Sequence, residues 1–233
     1  MTVTDVNVVK SAIFERPDDA NKGTLGSLLC VCGSYGMAGA AVMSAKGALR
    51  TGIGLAKCAL PRSIYPIVAQ TILESVYYPL SENADGRISK VNVPFLVSES
   101  CKSSATLVGC GLGVCDDTLK IVFSLIENST TPLVLDADAL NCVAKQHEIL
   151  LRKKAPIIIT PHPGEMSRLT GLATPFVNAE RERVALDFAQ KYGVVTVLKG
   201  AGTVIASPNG KVLVNPTGNS GMATGGSGDV LAG

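Results

Sequence analysis

Short apolar runs alternate along this chain with longer segments whose apolar positions recur at helical spacing. Strands are predicted at Leu28–Gly33, Leu55–Leu60, Ala105–Gly109, Leu133–Leu135, Ile157–Thr160 and Val194–Leu198. Helices are predicted at Ala38–Arg50, Ile64–Gln70, Asp116–Glu127 and Asn178–Tyr192. This alternation predicts an α/β fold with a mainly parallel central sheet, because the crossover helices must cover both faces of the sheet.

The pattern changes after the last of these strands. Val204–Ala206 and Val212–Val214 flank Asn209-Gly210, a dipeptide that strongly favours a β-hairpin. We therefore expect antiparallel strands at one edge of the sheet. Ser98–Ser104 is the polar stretch that we predict to be a flexible excursion.

The length and composition indicate one self-supporting domain over residues 1–233. Apolar residues make up 46% of the 233 residues, and charged residues 17%, which is below the roughly 25% of typical soluble domains. A general state of disorder is excluded. Aromatic residues are only 4% of the chain, and there is no Trp, so an aromatic platform for single-stranded nucleic acid is also excluded.

Charge and hydropathy argue against nucleic acid and membrane partners. The formal net charge is +2, and no run of cations is longer than Lys153-Lys154. The most apolar long stretch, Gly36–Pro61, contains Lys46, Arg50 and Lys57, which a spanning helix would not tolerate. The first residues lack the apolar centre of a secretion signal. We expect a cytoplasmic protein.

The seven cysteines are predicted to be reduced. Their number is odd, most lie in apolar runs, and no Cys-x-x-Cys pair offers the spacing of a metal site. A buried thiol packs as a small hydrophobic group.

The glycine-rich segment Asn219–Asp229 carries the strongest signal for function. Gly225, Gly226 and Gly228 allow the backbone amides to approach an anion closely, and a following helix start would add its positive dipole end. The segment therefore predicts phosphate binding. Asp229 either complements the helix dipole or acts as a base beside the phosphate.

Further candidates lie after other strands, where open α/β sheets bind their ligands. Asp136 and Asp138, two residues apart at a strand end, either hold Mg²⁺ or cap the next helix. Glu165 is either the first-turn acid of a helix that starts after Pro163 or a group near Mg²⁺ and phosphates.

For four more residues a ligand contact competes with a plainer interpretation. Ala40 permits either a bulky ligand ring or tight packing, and Gly113 permits either a backbone approach to a ligand or a tight turn. His162, held between two prolines, is either a ligand contact or a surface residue. Lys199 either meets a diphosphate or is an ordinary surface residue.

Several motifs together resemble one family. Gly225-Gly226-Ser227-Gly228-Asp229 is similar to the Gly-x-Gly-Asp signature of the ribokinase-like superfamily. Within it, the chain resembles the ADP-dependent NAD(P)H-hydrate dehydratase family of nicotinamide nucleotide repair enzymes. The matching motifs occur in that family's order, at Gly33–Ala41, Gly47–Leu55, Gly109–Gly113, Leu135–Asn141, Thr160–Met166 and Lys199-Gly200.

The resemblance implies a reaction and a set of site residues. ADP, or ATP, with Mg²⁺ would phosphorylate the hydroxyl of the (S)-hydrate of NADH or NADPH, and loss of phosphate would restore the ring, with release of AMP and phosphate. Asp229 would be the catalytic base. The substrate would contact Ala40, Gly113, Thr160, Pro161, His162, Pro163, Gly164, Glu165, Met166 and Asp229. The nucleotide would contact Lys199, Gly200, Ala201, Gly202, Thr203, Asn219, Ser220, Gly221, Met222, Ala223, Thr224, Gly225, Gly226, Ser227 and Gly228.

Two other functions compete with this one. A small-molecule kinase of the same superfamily would use the same Asp229 but release a phosphorylated product, and Thr160–Glu165 argues against it. A non-catalytic adenylate-binding module is the second alternative. The resemblance also favours a homotetramer, with the epimerase on a separate chain. Because the chain stops four residues after Asp229, where a helix should begin, we expect a C-terminal truncation.

Overall fold

The computed structural model describes residues 2–4, 10 and 16–233. Its strands are β1 (Thr2–Val3), β2 (Ser27–Val31), β3 (Leu55–Pro61), β4 (Val76–Leu80), β5 (Ala105–Val108), β6 (Leu133–Leu135), β7 (Ile157–Ile159), β8 (Val195–Leu198), β9 (Thr203–Ala206) and β10 (Val212–Asn215). Its helices are α1 (Ala38–Thr51), α2 (Tyr65–Thr71), α3 (Val93–Cys101), α4 (Asp116–Asn128), α5 (Asp138–Lys145), α6 (Pro163–Thr170), α7 (Thr174–Ala179), α8 (Arg181–Tyr192) and α9 (Ser227–Ala232).

All the described strands form one ten-stranded sheet in the order β1-β10-β9-β8-β7-β6-β5-β2-β3-β4. The strands from β4 across to β8 are parallel, whereas β9 is antiparallel to both β8 and β10. The predicted α/β fold and its late hairpin are therefore confirmed. The hairpin is not at the edge, however, because β1 pairs in parallel with β10. Two residues are too few for a hydrophobic pattern to predict that strand.

Two segments differ from the prediction. The predicted helix Asn178–Tyr192 is divided between α7 and α8, because Glu180 has a non-helical backbone conformation. The predicted excursion Ser98–Ser104 is wrong, because its first residues lie in α3. Two of its serines, Ser100 and Ser103, are buried instead of solvated. The Ser100 hydroxyl lies 2.9 Å from Thr106 Oγ1 and 2.7 Å from Ser129 Oγ. Hydroxyls that satisfy one another can be buried without an orphaned donor.

A hydrophobic core covers each face of the sheet. The larger one joins the strands to α3, α4, α5 and α8. The smaller one is built from alanines of α1, residues of α2 and several cysteines. All seven cysteines are free, and five of them are buried, as predicted. Among the described helices, none combines the length and the apolar character that a membrane span requires.

Candidate active site

The carboxyl ends of β5, β6, β7 and β8 bring the predicted polar residues together on one edge of the sheet. Asp136 follows β6, Thr160 follows β7, and Lys199 follows β8. Lys199 Nζ lies 2.6 Å from Asp136 Oδ1, and Thr160 Oγ1 donates to the same oxygen at 2.7 Å. Asp136 is only 2% exposed, so its negative charge depends on these two partners.

Asp138 makes other contacts than Asp136 does. Ala137, between the two aspartates, has a φ of 48°, and it is the one non-glycine residue with a positive φ in the described chain. Asp138 Oδ2 accepts from the Gly113 amide at 2.8 Å, and Oδ1 accepts from Asn141 Nδ2 at 3.3 Å. Asp138 therefore ties the glycine turn after β5 to the start of α5, while Asp136 faces Lys199.

Glu165 and His162 form the cap that starts α6. His162 Nδ1 accepts from the amides of Gly164 and Glu165 at 3.0 and 3.3 Å, and Glu165 Oε2 accepts from the His162 amide at 2.8 Å. The Glu165 carboxylate also lies 3.9 Å from Lys199 Nζ. Burial raises the pKa of Glu165, although the His162 amide and Lys199 oppose the rise. The predicted first-turn position of Glu165 is thus confirmed, and its carboxylate also borders the cluster.

Asp229 reaches the cluster because α9 packs very closely on α1. A Cβ at Gly47 would lie 2.6 Å from the Val230 carbonyl oxygen, so only glycine permits this approach. Gly226 has a φ of 90°, and a Cβ there would lie 2.1 Å from Met43 Sδ. Both glycines therefore fix the position of the helix that carries Asp229.

The Asp229 carboxylate lies among buried groups. One ligand atom from each of Cys110, Asp136 and Asp229 lies within 4.8 Å of the others. Burial raises the pKa of Asp229, and the charge of Asp136 adds to the rise, whereas a hydrogen bond with Cys110 and the charge of Lys199 oppose it. A carboxylate with a raised pKa is a better proton acceptor near neutral pH than an ordinary aspartate.

Two glycine loops border the same space. A Cβ built at Gly228 would lie 3.6 Å from Lys199 Nζ, and one at Gly225 would meet no atom within 4 Å. In the loop after β8, Thr203 Oγ1 donates to the Gly200 carbonyl at 3.0 Å. The Asn219–Thr224 segment is exposed, with Asn219 Oδ1 accepting from the Gly221 amide at 2.9 Å. The two predicted nucleotide segments therefore meet at Lys199 and Gly228.

Three of the predicted substrate contacts have structural roles. Met166 is fully buried in the hydrophobic core, and its role as a substrate contact stays a prediction. Ala40 is also buried, and a Cβ at Gly111 would lie 2.7 Å from its methyl group, so it packs against the turn after β5. Thr160 is 5% exposed, and its hydroxyl donates a hydrogen bond to Asp136. Of the other predicted substrate contacts, Gly113, Pro163, Gly164 and Asp229 are half-buried, and the His162 side chain is half exposed.

Cys110 and Arg181 are the residues that sequence reasoning missed. Cys110 Sγ lies 3.7 Å from Asp136 Oδ2, and a hydrogen bond with Cys32, together with burial, raises the pKa of its thiol. A signal was present, because Cys110 stands inside the glycine turn at residues 109–113. Arg181 carried no such signal, because it lies in a charged run beside Glu180, Glu182 and Arg183.

The carboxylates fit a magnesium ion better than the thiol does. Mg²⁺ takes oxygen ligands and typically one or two carboxylates plus phosphate oxygens. Asp136, Glu165 and Asp229 offer such oxygens around Lys199, whereas the raised pKa of Cys110 keeps that thiol protonated. Asp138, engaged with Gly113, is a poorer candidate than the sequence suggested.

Two cavities lie outside this cluster of carboxylates. One, of about 330 Å³, is lined by apolar and charged side chains near His147 and by none of the predicted site residues. The other, of about 520 Å³, lies behind the loop after β8 and includes Ala201 and Gly202. The carboxylates and Lys199 converge at the edge of the sheet and not in either cavity, so cavity size does not identify the candidate site.

Comparisons with known proteins point to one family. The family model described as NAD(P)H-hydrate dehydratase matches residues 28–233. The bifunctional NAD(P)H-hydrate repair enzyme Nnr of Thermofilum pendens is 42% identical over 218 residues, which are 94% of this chain and 42% of that protein. The ADP-dependent (S)-NAD(P)H-hydrate dehydratase of Bacillus subtilis is 33% identical over 227 residues, or 97% of this chain and 76% of that protein.

A solved structure shows the same fold. The ADP/ATP-dependent NAD(P)H-hydrate dehydratase from Bacillus subtilis, co-crystallized with ATP/Mg²⁺, superposes with a TM-score of 0.82 at 30% identity. The match covers 99% of this chain and 78% of that one. The chain spans less than half the length of the bifunctional relatives. It belongs to the NAD(P)H-hydrate dehydratase family.

Proposed function

We propose that this chain dehydrates the (S)-hydrate of NADH or NADPH and consumes ADP, or ATP, as phosphoryl donor. The observation that carries the proposal is the position of Asp229, a half-buried carboxylate beside Lys199 and a glycine loop. That combination provides a base, a cation and backbone amides around one small space. Relatives of the chain are named for this reaction.

In the proposed reaction, Asp229 accepts the proton of the substrate hydroxyl as that oxygen attacks the terminal phosphorus. The bond from phosphorus to the nucleotide breaks, and AMP leaves when ADP is the donor. The carbon–oxygen bond then breaks, phosphate departs with the former hydroxyl oxygen, and loss of a ring proton restores the dihydronicotinamide. Elimination of phosphate is easier than elimination of hydroxide, which is why nucleotide cleavage promotes the dehydration.

The loop amides and Lys199 stabilise the charge of the transferring group. Backbone amides at Gly226, Ser227 and Gly228 would donate to phosphoryl oxygens, and Lys199 would supply a point charge. Lys199–Thr203 and Asn219–Thr224 would hold the rest of the nucleotide. Lys199 is 2.6 Å from Asp136, and this ion pair positions the ammonium before the nucleotide binds. A bound phosphate would share the ammonium with Asp136.

The hydrated ring would bind on the other side of Asp229. We assign this surface to the turn at Gly113 and to the Pro161–Gly164 segment that carries His162. Ala40 would contribute through packing of the Gly111 turn. Mg²⁺, held by one or two of Asp136, Glu165 and Asp229, would neutralise phosphate charge.

The partners and assembly remain proposals as well. A homotetramer follows from the family resemblance, and the bifunctional name of a relative supports an epimerase as the functional partner. The cytoplasm is the proposed location.

The proposed function is tested by incubating the protein with NADHX, Mg²⁺ and either ADP or ATP. We expect the near-ultraviolet absorbance of the reduced ring to return, with one phosphate released per ring restored. The same assay with NADPHX measures the preference between the two hydrates.

Each competing function predicts a different outcome in that assay. Accumulation of a phosphorylated product, with no return of absorbance, would identify a kinase. Binding of nucleotide without consumption of it would identify a non-catalytic module. Either outcome contradicts the proposed dehydration.

A further inference from the structure

Arg181, the first residue of α8, connects both ends of the loop that carries Lys199. Its Nη2 donates to the Leu198 carbonyl oxygen at 2.8 Å and to the Gly202 carbonyl oxygen at 3.5 Å. Leu198 is the last residue of β8, and Gly202 precedes β9. A single guanidinium nitrogen therefore contacts both ends of the loop between the two strands.

The middle of the loop also lies against this guanidinium. A Cβ built at Gly200 would lie 2.8 Å from Nη1 and 2.9 Å from Nη2 of Arg181. Gly200 has a φ of 151° and Gly202 has a φ of 67°. Residues other than glycine rarely adopt these backbone conformations. The contact with Arg181 supplies the restraint that glycines cannot.

Local stability does not explain an arginine at this position. Its Nε is buried and has no hydrogen-bond partner among the described residues, which is unfavourable. Burial also lowers the pKa of Arg181. A cation at a helix N-terminus is opposed by the helix dipole. The contacts that Arg181 makes with the loop explain its presence better than its own contribution to stability does.

The space behind the loop makes the restraint necessary. The cavity of about 520 Å³ is lined by Arg181, Ala201 and Gly202 together with Val204 and Val214 of β9 and β10. A loop of glycines beside an open cavity can move into it once the bridging guanidinium is removed. Lys199 is at the start of that loop, with its amide donating to the Pro161 carbonyl oxygen at 2.8 Å.

We propose that Arg181 is a positioning residue that orders Lys199–Thr203 for the phosphates of the nucleotide. The proposal rests on the proposed function, because it takes this loop as part of the nucleotide site. It assigns Arg181 no contact with the reacting atoms. Its role is to hold the loop backbone in the conformation that binds ADP or ATP.

The test compares Arg181→Met with Arg183→Met in the full chain. Methionine keeps much of the volume but removes the donors. Arg183 is exposed on the same helix and lines the same cavity, but among the described residues it pairs with Asp187 at 3.7 Å and not with the loop, so it controls for the cavity wall. For Arg181→Met we expect the Kd for ADP and its KM to rise roughly tenfold, while the KM for NADHX stays within about twofold. Arg183→Met should match the wild type in the Kd for ADP, the KM for ADP and the KM for NADHX.

Two further measurements separate positioning from general destabilisation. Hydrogen exchange at the amides of residues 199–203 should accelerate in Arg181→Met and not in Arg183→Met. Arg181→Lys should recover part of the nucleotide affinity that Arg181→Met loses, because both carbonyls accept from the single nitrogen Nη2, which one ammonium can replace. A uniform loss of affinity for both substrates would overturn the proposal.

The outcomes also separate this proposal from the proposed function. If the wild type binds neither ADP nor ATP, the proposed function fails and Arg181 loses its role with it. If the wild type binds nucleotide and Arg181→Met binds it equally well, only the role of Arg181 is wrong.

Discussion

Replacing Asp229 by Asn should lower turnover of the hydrate by roughly 10²- to 10⁴-fold, the usual contribution of a positioned acid or base. The amide keeps the size of the side chain but cannot take the hydroxyl proton. The Kd for ADP should stay within about threefold, because the glycine loop and Lys199 are unchanged. Steady-state kinetics and a nucleotide titration measure the two effects separately.

Asp116→Asn is the matched control for that variant. Asp116 is also an acid in the first turn of a helix, α4, but it is exposed and lies outside the site. It should lose only the small dipole interaction and turn over at the wild-type rate. If Asp229→Asn behaved like Asp116→Asn, then Asp229 would be a helix-dipole residue and not the base.

Replacing Lys199 by Met should destabilise the fold as well as the reaction. It would leave the Asp136 carboxylate, 2% exposed, with Thr160 but without its cation. Removing one partner of a buried ion pair typically costs about 3 kcal/mol or more. For a domain of this size that loss corresponds to a fall in Tm of about 6–12 °C, which thermal unfolding followed by circular dichroism would detect.

Two comparisons test whether the buried charge is the cause. Asp136→Asn combined with Lys199→Met should recover much of the lost stability, because the buried charge at residue 136 is gone and Glu165 still accepts from the His162 amide. Lys102→Met removes an exposed lysine that pairs with Glu99 at 2.9 Å, and it should change Tm little. Equal Tm values for Lys199→Met and the wild type would show that Asp136 does not depend on this pair.

Hydrophobic periodicity was enough to predict most of the sheet. Leu133–Leu135 matches β6, and the hairpin after Lys199 forms where Asn209-Gly210 indicated. Patterning failed where polar side chains satisfy one another, as Ser100 does with Thr106 and Ser129. The sequence does not indicate that the hydrogen-bond partners of a hydroxyl lie on distant elements.

The sequence predicted which residues belong to the candidate site better than it predicted how they are arranged. Asp229, Glu165 and Lys199 were singled out by their motifs, and the structure brings them to one edge of the sheet. The turn that separates Asp136 from Asp138 depends on one positive φ at Ala137, which no local pattern indicates. Arg181 could not be found either, because its partners are backbone carbonyls that only the fold places beside it.

The central claim is that the hydroxyl of the hydrate accepts a phosphoryl group before it leaves. The most direct test uses NADHX with a heavy-oxygen label in that hydroxyl, incubated with the enzyme, ADP and Mg²⁺, and analyses the released phosphate by mass spectrometry. We expect the label in inorganic phosphate, one atom for each ring restored. Unlabelled phosphate, with the label in water, would contradict the account.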